Sequence, residues 1–340
     1  MQRRHIAAAD KLPPYGLWTE RQLTLSESRY NRVGRPMRPY LGLDFGGTKL
    51  AAGLADETGR LLAFGRCPTE PAAGAAGAIA AMRRLVAAFP PEAGRPVAVG
   101  ISFGGPVDLA CQRTLLSHHG PGWEDFPLVE RIADLWACPV AMDNDANAAA
   151  LGEVRYGAGR GRRNVLYVTV STGIGGGVVV DGKVYRGSHG LSGEIGHTIV
   201  RPDGPLCPCG KRGCLEAVAS GPSIARAYAE QAGRTDSDVT AEDVFRRAAN
   251  GDVTARDVLD RAIHALGLGL ANAINLLDPE LVLIGGGVSR AGDALFVPLR
   301  EAVDAVCAPA PAGAIPIVPA VLGDAVGVLG AVALASDSAA

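Results

Sequence analysis

Twice along the chain an apolar run leads through a glycine turn into a second run, and through a polar turn into a third: YLGLDFGGTKLAAGLADETGRLLAFGRC at residues 40–67 and VLYVTVSTGIGGGVVVDGKVYRG at residues 165–187. Short apolar runs bounded by Gly and Asp read as strands, here joined as two β-meanders. In the first unit a helix follows, its apolar residues Ile79, Met82, Val86 and Phe89 falling on one face. The PVAVGIS run then returns beside the first strand, completing a β-β-β-α-β order that predicts a layered α/β domain. A plan used twice predicts two such domains with a cleft between them. The 340 residues, 48% of them hydrophobic, suffice for two substantial cores.

The expected division is residues 40–150 and 151–336, the last helix, Val326 to Leu334, packing back on the first domain. Between the meanders, ACPVAMDND reads as a strand, and its Asp143-Asn144-Asp145 tip offers N-cap chemistry to the helix ANAAALGEVRYG. Residues Ser220 to Asp260 are Ala-rich and helical. Ile263, Leu266, Leu270, Ile274 and Leu277 mark a further helix, ended by Asp278-Pro279, ahead of the strand LVLIGGGVS. No order is expected after Ser336. Residues 1–39 carry eight basic and three acidic residues, a balance of +5, without periodicity, and read as a poorly ordered arm. Met37 precedes the first strand, so whether residues 1–36 belong to the native protein stays open.

A net charge of −2 calls for neither nucleic acid nor an anionic membrane as partner. No apolar run reaches the roughly 18 residues of a membrane span. The seven cysteines are unevenly spread, which suits a reducing cytoplasm.

Three of those cysteines lie in EIGHTIVRPDGPLCPCGKRGCLE, residues 194–216, where His197, Cys207, Cys209 and Cys214 form a candidate tetrahedral Zn²⁺ set. With four protein ligands the ion would be structural, holding Glu194, His197 and Glu216 in place; three reduced cysteines in a core loop is the alternative. Glycine turns follow strands at Asp44-Phe45-Gly46-Gly47-Thr48-Lys49, at Ser171 to Gly177 with Thr172 and Gly173, and at Gly285-Gly286-Gly287. Bare backbone N–H groups at such turns can converge on phosphate oxygens, and three of them favour a nucleotide polyphosphate. Neither a P-loop nor a dinucleotide-binding glycine motif is present. Phosphoryl transfer needs a carboxylate to take the nucleophile's proton, and Asp145 is the candidate, with helix capping as its plainer role. Glu194, His197 and Glu216 suit neighbouring hydroxyls, as on a sugar.

The segments D-F-G-G-T-K (44–49), N-D-A-N-A-A-A-L-G-E (144–153), STGIGGG, G-E-I-G-H (193–197), C-x-C-G-x-x-G-C-L-E (207–216) and LVLIGGG resemble, in order, the ROK family of repressors and sugar kinases. The resemblance implies an α/β, two-domain, actin-like or hexokinase-type (ribonuclease H-like) fold with a zinc knuckle. It implies transfer of the ATP γ-phosphate to a hexose, glucose at its 6-hydroxyl first, with an N-acylhexosamine such as N-acetylmannosamine or N-acetylglucosamine as the alternative acceptor. Asp145 would be the base. Asn144, Gly105, Glu194, His197 and Glu216, with His119, would hold the sugar. Asp44, Gly46, Gly47, Thr48, Lys49, Thr172 and Gly173 would face the phosphates and Mg²⁺, with Gly286 near the adenosine. A homodimer, possibly a tetramer, is the implied assembly.

Two departures stand out. GISFGGPVD has Ser102 and Gly104 where the family pattern G-x-G-x-P-G-x-V-D has its second Gly and Pro, and His119 stands where many glucokinase-like members have a sugar-binding Asn. His119 therefore leaves the hexose open. A sugar-sensing regulator is the rival class, but the 39-residue arm is too short for a winged helix-turn-helix.

Overall fold

The computed structural model describes residues 38–110, 112–116, 120–233, 239–308 and 313–339. The arm and His119 thus lie outside the described residues, Arg38 and Pro39 excepted.

The first meander is β1 (Tyr40–Phe45), β2 (Lys49–Ala55) and β3 (Leu61–Pro68), followed by α1 (Gly74–Ala87) and β4 (Ala98–Phe103). After a small hairpin, β5 (Val107–Asp108) and β6 (Arg113–Thr114), come α2 (Leu128–Trp136), β7 (Val140–Asn144) and α3 (Asp145–Tyr156). The second meander is β8 (Val165–Val170), β9 (Ile174–Val180) and β10 (Lys183–Tyr185). Then follow α4 (Leu215–Ala219), α5 (Gly221–Gln231), α6 (Ala241–Ala249), α7 (Val253–Leu277), β11 (Leu281–Gly285), α8 (Asp293–Val306), β12 (Ile317–Pro319) and α9 (Val326–Ser338).

The strands form two five-stranded sheets in the orders β3-β2-β1-β4-β7 and β10-β9-β8-β11-β12. Directions repeat as well as order. In each sheet the meander is antiparallel, and the two later strands run parallel to its first strand.

Period-two alternation explains how both faces of each sheet are covered. Leu41 and Leu43 of β1, with Val99 and Ile101 of β4, point to one side and pack with Met82 of α1 and Leu128 and Ile132 of α2. Tyr40 and Ala98 point to the other, where Leu329 and Val332 of α9 lie. In the second sheet Leu166 and Val168 meet Leu266 and Leu270 of α7, while Val165 and Tyr167 meet Ala149, Ala150 and Val154 of α3. Each sheet therefore takes one cover from the opposite half of the sequence: α3 leaves the first sheet to lie on the second, and α9 returns from the second to the first.

Glycine sets how closely these helices approach. A Cβ on Gly100 would stand 1.7 Å from the Ala331 carbonyl oxygen of α9, and one on Gly330 would stand 2.1 Å from the Ala148 carbonyl oxygen of α3. Small residues at these crossings bring α9 down onto β4 and against α3.

Several elements differ from the sequence expectation. α7 begins ten residues before Ile263, at Val253, because Asp252 caps it, accepting from the Ala255 N–H at 3.0 Å and from the Tyr228 hydroxyl at 2.7 Å. α8 carries Pro298 in its interior, which hid it as a helix. α9 continues to Ser338 rather than stopping near Ser336, anchored by Asp337, which accepts from Arg155 at 2.5 Å. Among the described residues no helix is long and apolar enough to cross a membrane.

Candidate active site

The register of the first sheet assembles one side of the site. Gly42 and Asp44 of β1 pair with Gly100 and Ser102 of β4, so all four point toward α9. The glycines let the helix settle, and the polar pair lies at its N-terminal end, where a Cβ on Gly327 would stand 2.4 Å from Asp44 Oδ2. Ser102, fully buried, donates to Asp44 Oδ1 at 2.8 Å. Burial pushes the Asp44 carboxyl above its ordinary value, against the pull of the Ser102 hydroxyl and the Lys49 charge.

Asp145 is the first residue of α3, directly after the end of β7. Capping falls to its neighbour: the Asn144 side chain accepts from the Ala146 N–H at 2.9 Å and donates to the Gly105 carbonyl at 3.3 Å. Asp145 Oδ1 also accepts from the Ala146 N–H, at 2.8 Å. A Cβ on Gly104 would stand 3.7 Å from Asp145 Oδ2. The same point on Gly104 is 3.6 Å from Gly46 Cα, so the first glycine turn, Gly104 and Asp145 meet. Burial, then the Asp44 charge, push the Asp145 carboxyl up to about 6, with Glu194 adding to the rise and hydrogen bonds from the Ala146 N–H and the Asn144 side chain opposing it. A carboxylate so tuned can accept a proton from an approaching hydroxyl near neutral pH.

The other side of the site is loop-built. Glu194 and His197 bracket a single 3₁₀ turn, Ile195–His197. The imidazole Nε2 lies 3.8 Å from Glu194 Oε2, and Nδ1 lies 3.8 Å from Cys207 Sγ, so one ring faces both the carboxylate and the cysteines. Ligand atoms of His197, Cys207, Cys209 and Cys214 lie within 4.8 Å of one another, and Cys209 Sγ is 3.6 Å from Cys214 Sγ. A tetrahedron with Zn–S bonds of about 2.3 Å has edges of about 3.8 Å, so the donor set fits that ion. Gly213 closes the loop at φ +74°, where a Cβ would stand 1.6 Å from the Arg201 carbonyl oxygen. Glu216 Oε2 accepts from the Ile174 N–H at 2.9 Å, beside Thr172-Gly173, and a Cβ on Gly173 would stand 2.5 Å from it.

The third glycine turn is tight: Gly286 has φ +84° and packs against the Val170 carbonyl. Lys49 does not stand open beside Gly46, Gly47 and Thr48. Its Nζ lies 3.3 Å from Asp324, which also binds Arg66 at 2.8 Å and Arg290 at 2.9 Å. Burial works against ionisation of Asp324, but Arg66, Lys49 and Arg290 hold its carboxyl below the usual range. The pairings of Asp324 with Lys49 and Arg66 and of Asp143 with Arg186 were not read from sequence, since each joins residues far apart in the chain. Ser102 had one, as a departure from the family pattern.

Two like sheets with crossed helices, with a tuned carboxylate between glycine turns and a polar loop, match the class of sugar kinases. The ROK family profile matches residues 40–338, and the chain belongs to that family. It is 36% identical over 313 residues to a glucokinase of Thermotoga maritima, covering 89% of this chain and 98% of that protein. It is 37% identical over 253 residues to an N-acetylmannosamine kinase of Yersinia pseudotuberculosis, covering 74% and 83%. The solved ROK family glucokinase of Streptomyces griseus, in complex with glucose and AMPPNP, superposes with a TM-score of 0.76 at 35% identity, covering 88% of this chain and 99% of that one.

Proposed function

We propose that the protein transfers the γ-phosphate of ATP to the 6-hydroxyl of glucose, with Asp145 as general base. The observation that carries this is the Asp145 carboxyl itself, pushed up to about 6 between Asp44 and Glu194 while Asn144 does the capping. Asp145 takes the hydroxyl proton as the sugar oxygen attacks phosphorus, and the bond to the ADP leaving oxygen breaks. Asn144, Gly105, Glu194, His197 and Glu216 hold the sugar. The Asp44 to Lys49 turn and Thr172-Gly173 face the phosphates, and Gly286 faces the adenosine. Lys49 reaches them by exchanging Asp324 for phosphate oxygens.

Asp44 is the residue that would hold Mg²⁺, as burial raises its carboxyl pKa and a cation beside it would relieve that. Bound there, Mg²⁺ supplies charge neutralisation of the donor phosphates. His197, Cys207, Cys209 and Cys214 would hold a structural Zn²⁺. Residues 40–150 and 151–336 form the two domains, and we expect a cytoplasmic homodimer or tetramer.

The relation to an N-acetylmannosamine kinase at 37% identity supports a second reading, an N-acylhexosamine acceptor. A panel of glucose, mannose, N-acetylmannosamine and N-acetylglucosamine with ATP and Mg²⁺ decides between them by kcat/KM. Glucose is expected to lead. Saturable sugar binding without turnover of any hexose would sink the kinase reading in favour of a sensor.

A further inference from the structure

Asp143 is fully buried at the penultimate position of β7. Its Oδ1 accepts from the Asn144 N–H at 2.8 Å and from Asn147 Nδ2 at 2.9 Å, and its Oδ2 accepts from Arg186 Nε at 2.7 Å. Both oxygens of Asp143 are thus engaged, and its partners are Asn144, Asn147 and a single cation. That cation comes from the other sheet. Arg186 is the residue after β10, and its own carbonyl accepts from the Ser192 N–H at 3.2 Å, closing a loop two residues before Glu194. The loop has Gly187, Gly190 and Gly193 at positive φ and no strand partner of its own, so it needs a side-chain anchor.

We propose that Arg186 is a positioning residue for phosphoryl transfer: by neutralising buried Asp143 it holds the Asn144-Asp145 turn and ties it to the loop that presents Glu194. The inference rests on the reading of Asp145 as base. Asp145 is faced by carboxylates from two further elements, Asp44 of β1, itself beside Lys49, and Glu194 of the sugar loop. A third unpaired carboxylate two residues away in sequence would add to that repulsion, and Arg186 is what removes it. Among the described residues the buried Asn147 Oδ1 has no hydrogen-bond partner, so no spare donor stands beside it. Losing the cation strands a buried charge, whereas losing Asp143 leaves a guanidinium that is 39% exposed and can turn to water.

The test is a double-mutant cycle of Arg186→Gln and Asp143→Asn, with Arg186→Lys as the conservative variant and Asp145→Asn as control. Sugar and ATP kinetics are measured across pH, well below each unfolding midpoint. Arg186→Gln is expected to lower kcat by ~10- to 100-fold with a smaller change in KM, and to raise the acid limb of the pH profile. Asp143→Asn alone should cost less, the double variant should recover most of the kcat lost in Arg186→Gln, and Arg186→Lys should recover part. Losses that multiply in the double variant, or a kcat within twofold of the parent in Arg186→Gln, would overturn the positioning role. Full turnover in Asp145→Asn would instead overturn the base assignment, and so reads out separately.

Discussion

Asp145 and Glu194 lie close enough for the Glu194 charge to raise the Asp145 carboxyl, yet the chain holds them by opposite means. Asp44, Ser102, Asn144 and Asp145 sit at strand ends and a helix start, where register and capping leave each side chain one direction. Glu194, His197 and the cysteines sit on 23 residues, Glu194 to Glu216, with little regular structure: one 3₁₀ turn, isolated bridges at Ile199–Cys214 and Leu206–Arg212, and the start of α4. The first half of the site is fixed by backbone hydrogen bonds and buried sheet. The second half has little regular backbone pairing and is shaped by turns such as Gly213, at φ +74°, where a Cβ would stand 1.6 Å from the Arg201 carbonyl oxygen. On the proposed reading, the base is on the sheet half, and the sugar is held from both halves.

The hardest test of this contrast is Asp145→Asn. The variant should lose ~10²- to 10⁴-fold in kcat while retaining sugar affinity, since it removes a base and little else. The parent's kcat/KM should fall tenfold per pH unit below about 6, because the base works only when deprotonated and its carboxyl is pushed up to about 6. In the variant that limb should vanish. Stability should move the other way. A carboxyl whose folded pKa lies above its unfolded one binds its proton more tightly when folded, so folding loses stability as pH rises from about 4 to about 6. Asp145→Asn should therefore raise stability at pH 7 by ~1–3 kcal/mol, measured by denaturant titration. A variant that is both active and unaltered in stability would break the idea that this half of the site is under electrostatic tension.

Cys209→Ser probes the loop half. Zn²⁺ content should fall, by metal analysis, and KM for sugar should rise by ~10- to 100-fold as His197 and Glu194 lose their anchor. The kcat at saturating sugar should change much less than in Asp145→Asn. Equal metal content with unchanged KM would remove the knuckle.

These expectations show which links were legible in the sequence. The paired meanders were, because strand periodicity and glycine turns are local signals; so were Asn144-Asp145 and the cysteine spacing. The crossed exchange of α3 and α9 was legible only as a return of the last helix, since the contacts that set it, Gly100 with Ala331 and Gly330 with Ala148, join residues far apart in the chain. The Lys49–Asp324 ion pair had no local signal, because its partners are 275 residues apart. The Arg186–Asp143 pair escaped for the same reason.

Gly100→Ala tests the sheet half away from its chemistry. With a Cβ 1.7 Å from the Ala331 carbonyl oxygen, α9 must lift from β4, at a cost of ~1–3 kcal/mol in stability. Activity should fall with it, because Asp44 lies under the same helix. Full activity at reduced stability would mean that α9 is only a cover.

Ser102→Ala should give the smallest effect and the sharpest reading. Its hydroxyl gives Asp44 a 2.8 Å hydrogen bond in a buried setting, at a position where the family pattern has glycine and so has no donor. Removing it takes away one of the two influences that lower the Asp44 carboxyl, the Lys49 charge being the other, so the Asp44 pKa should rise further. A net hydrogen bond of about 1 kcal/mol corresponds to roughly fivefold in kcat/KM. The loss should deepen as pH falls, because a carboxyl with a higher pKa protonates sooner and a protonated Asp44 no longer offers a full charge to a cation. It should shrink at high Mg²⁺, which competes with the proton for that oxygen. A loss independent of both pH and Mg²⁺ would mean that Ser102 only fills space beneath α9, and that the sheet half tunes its carboxylates by burial and Lys49 alone.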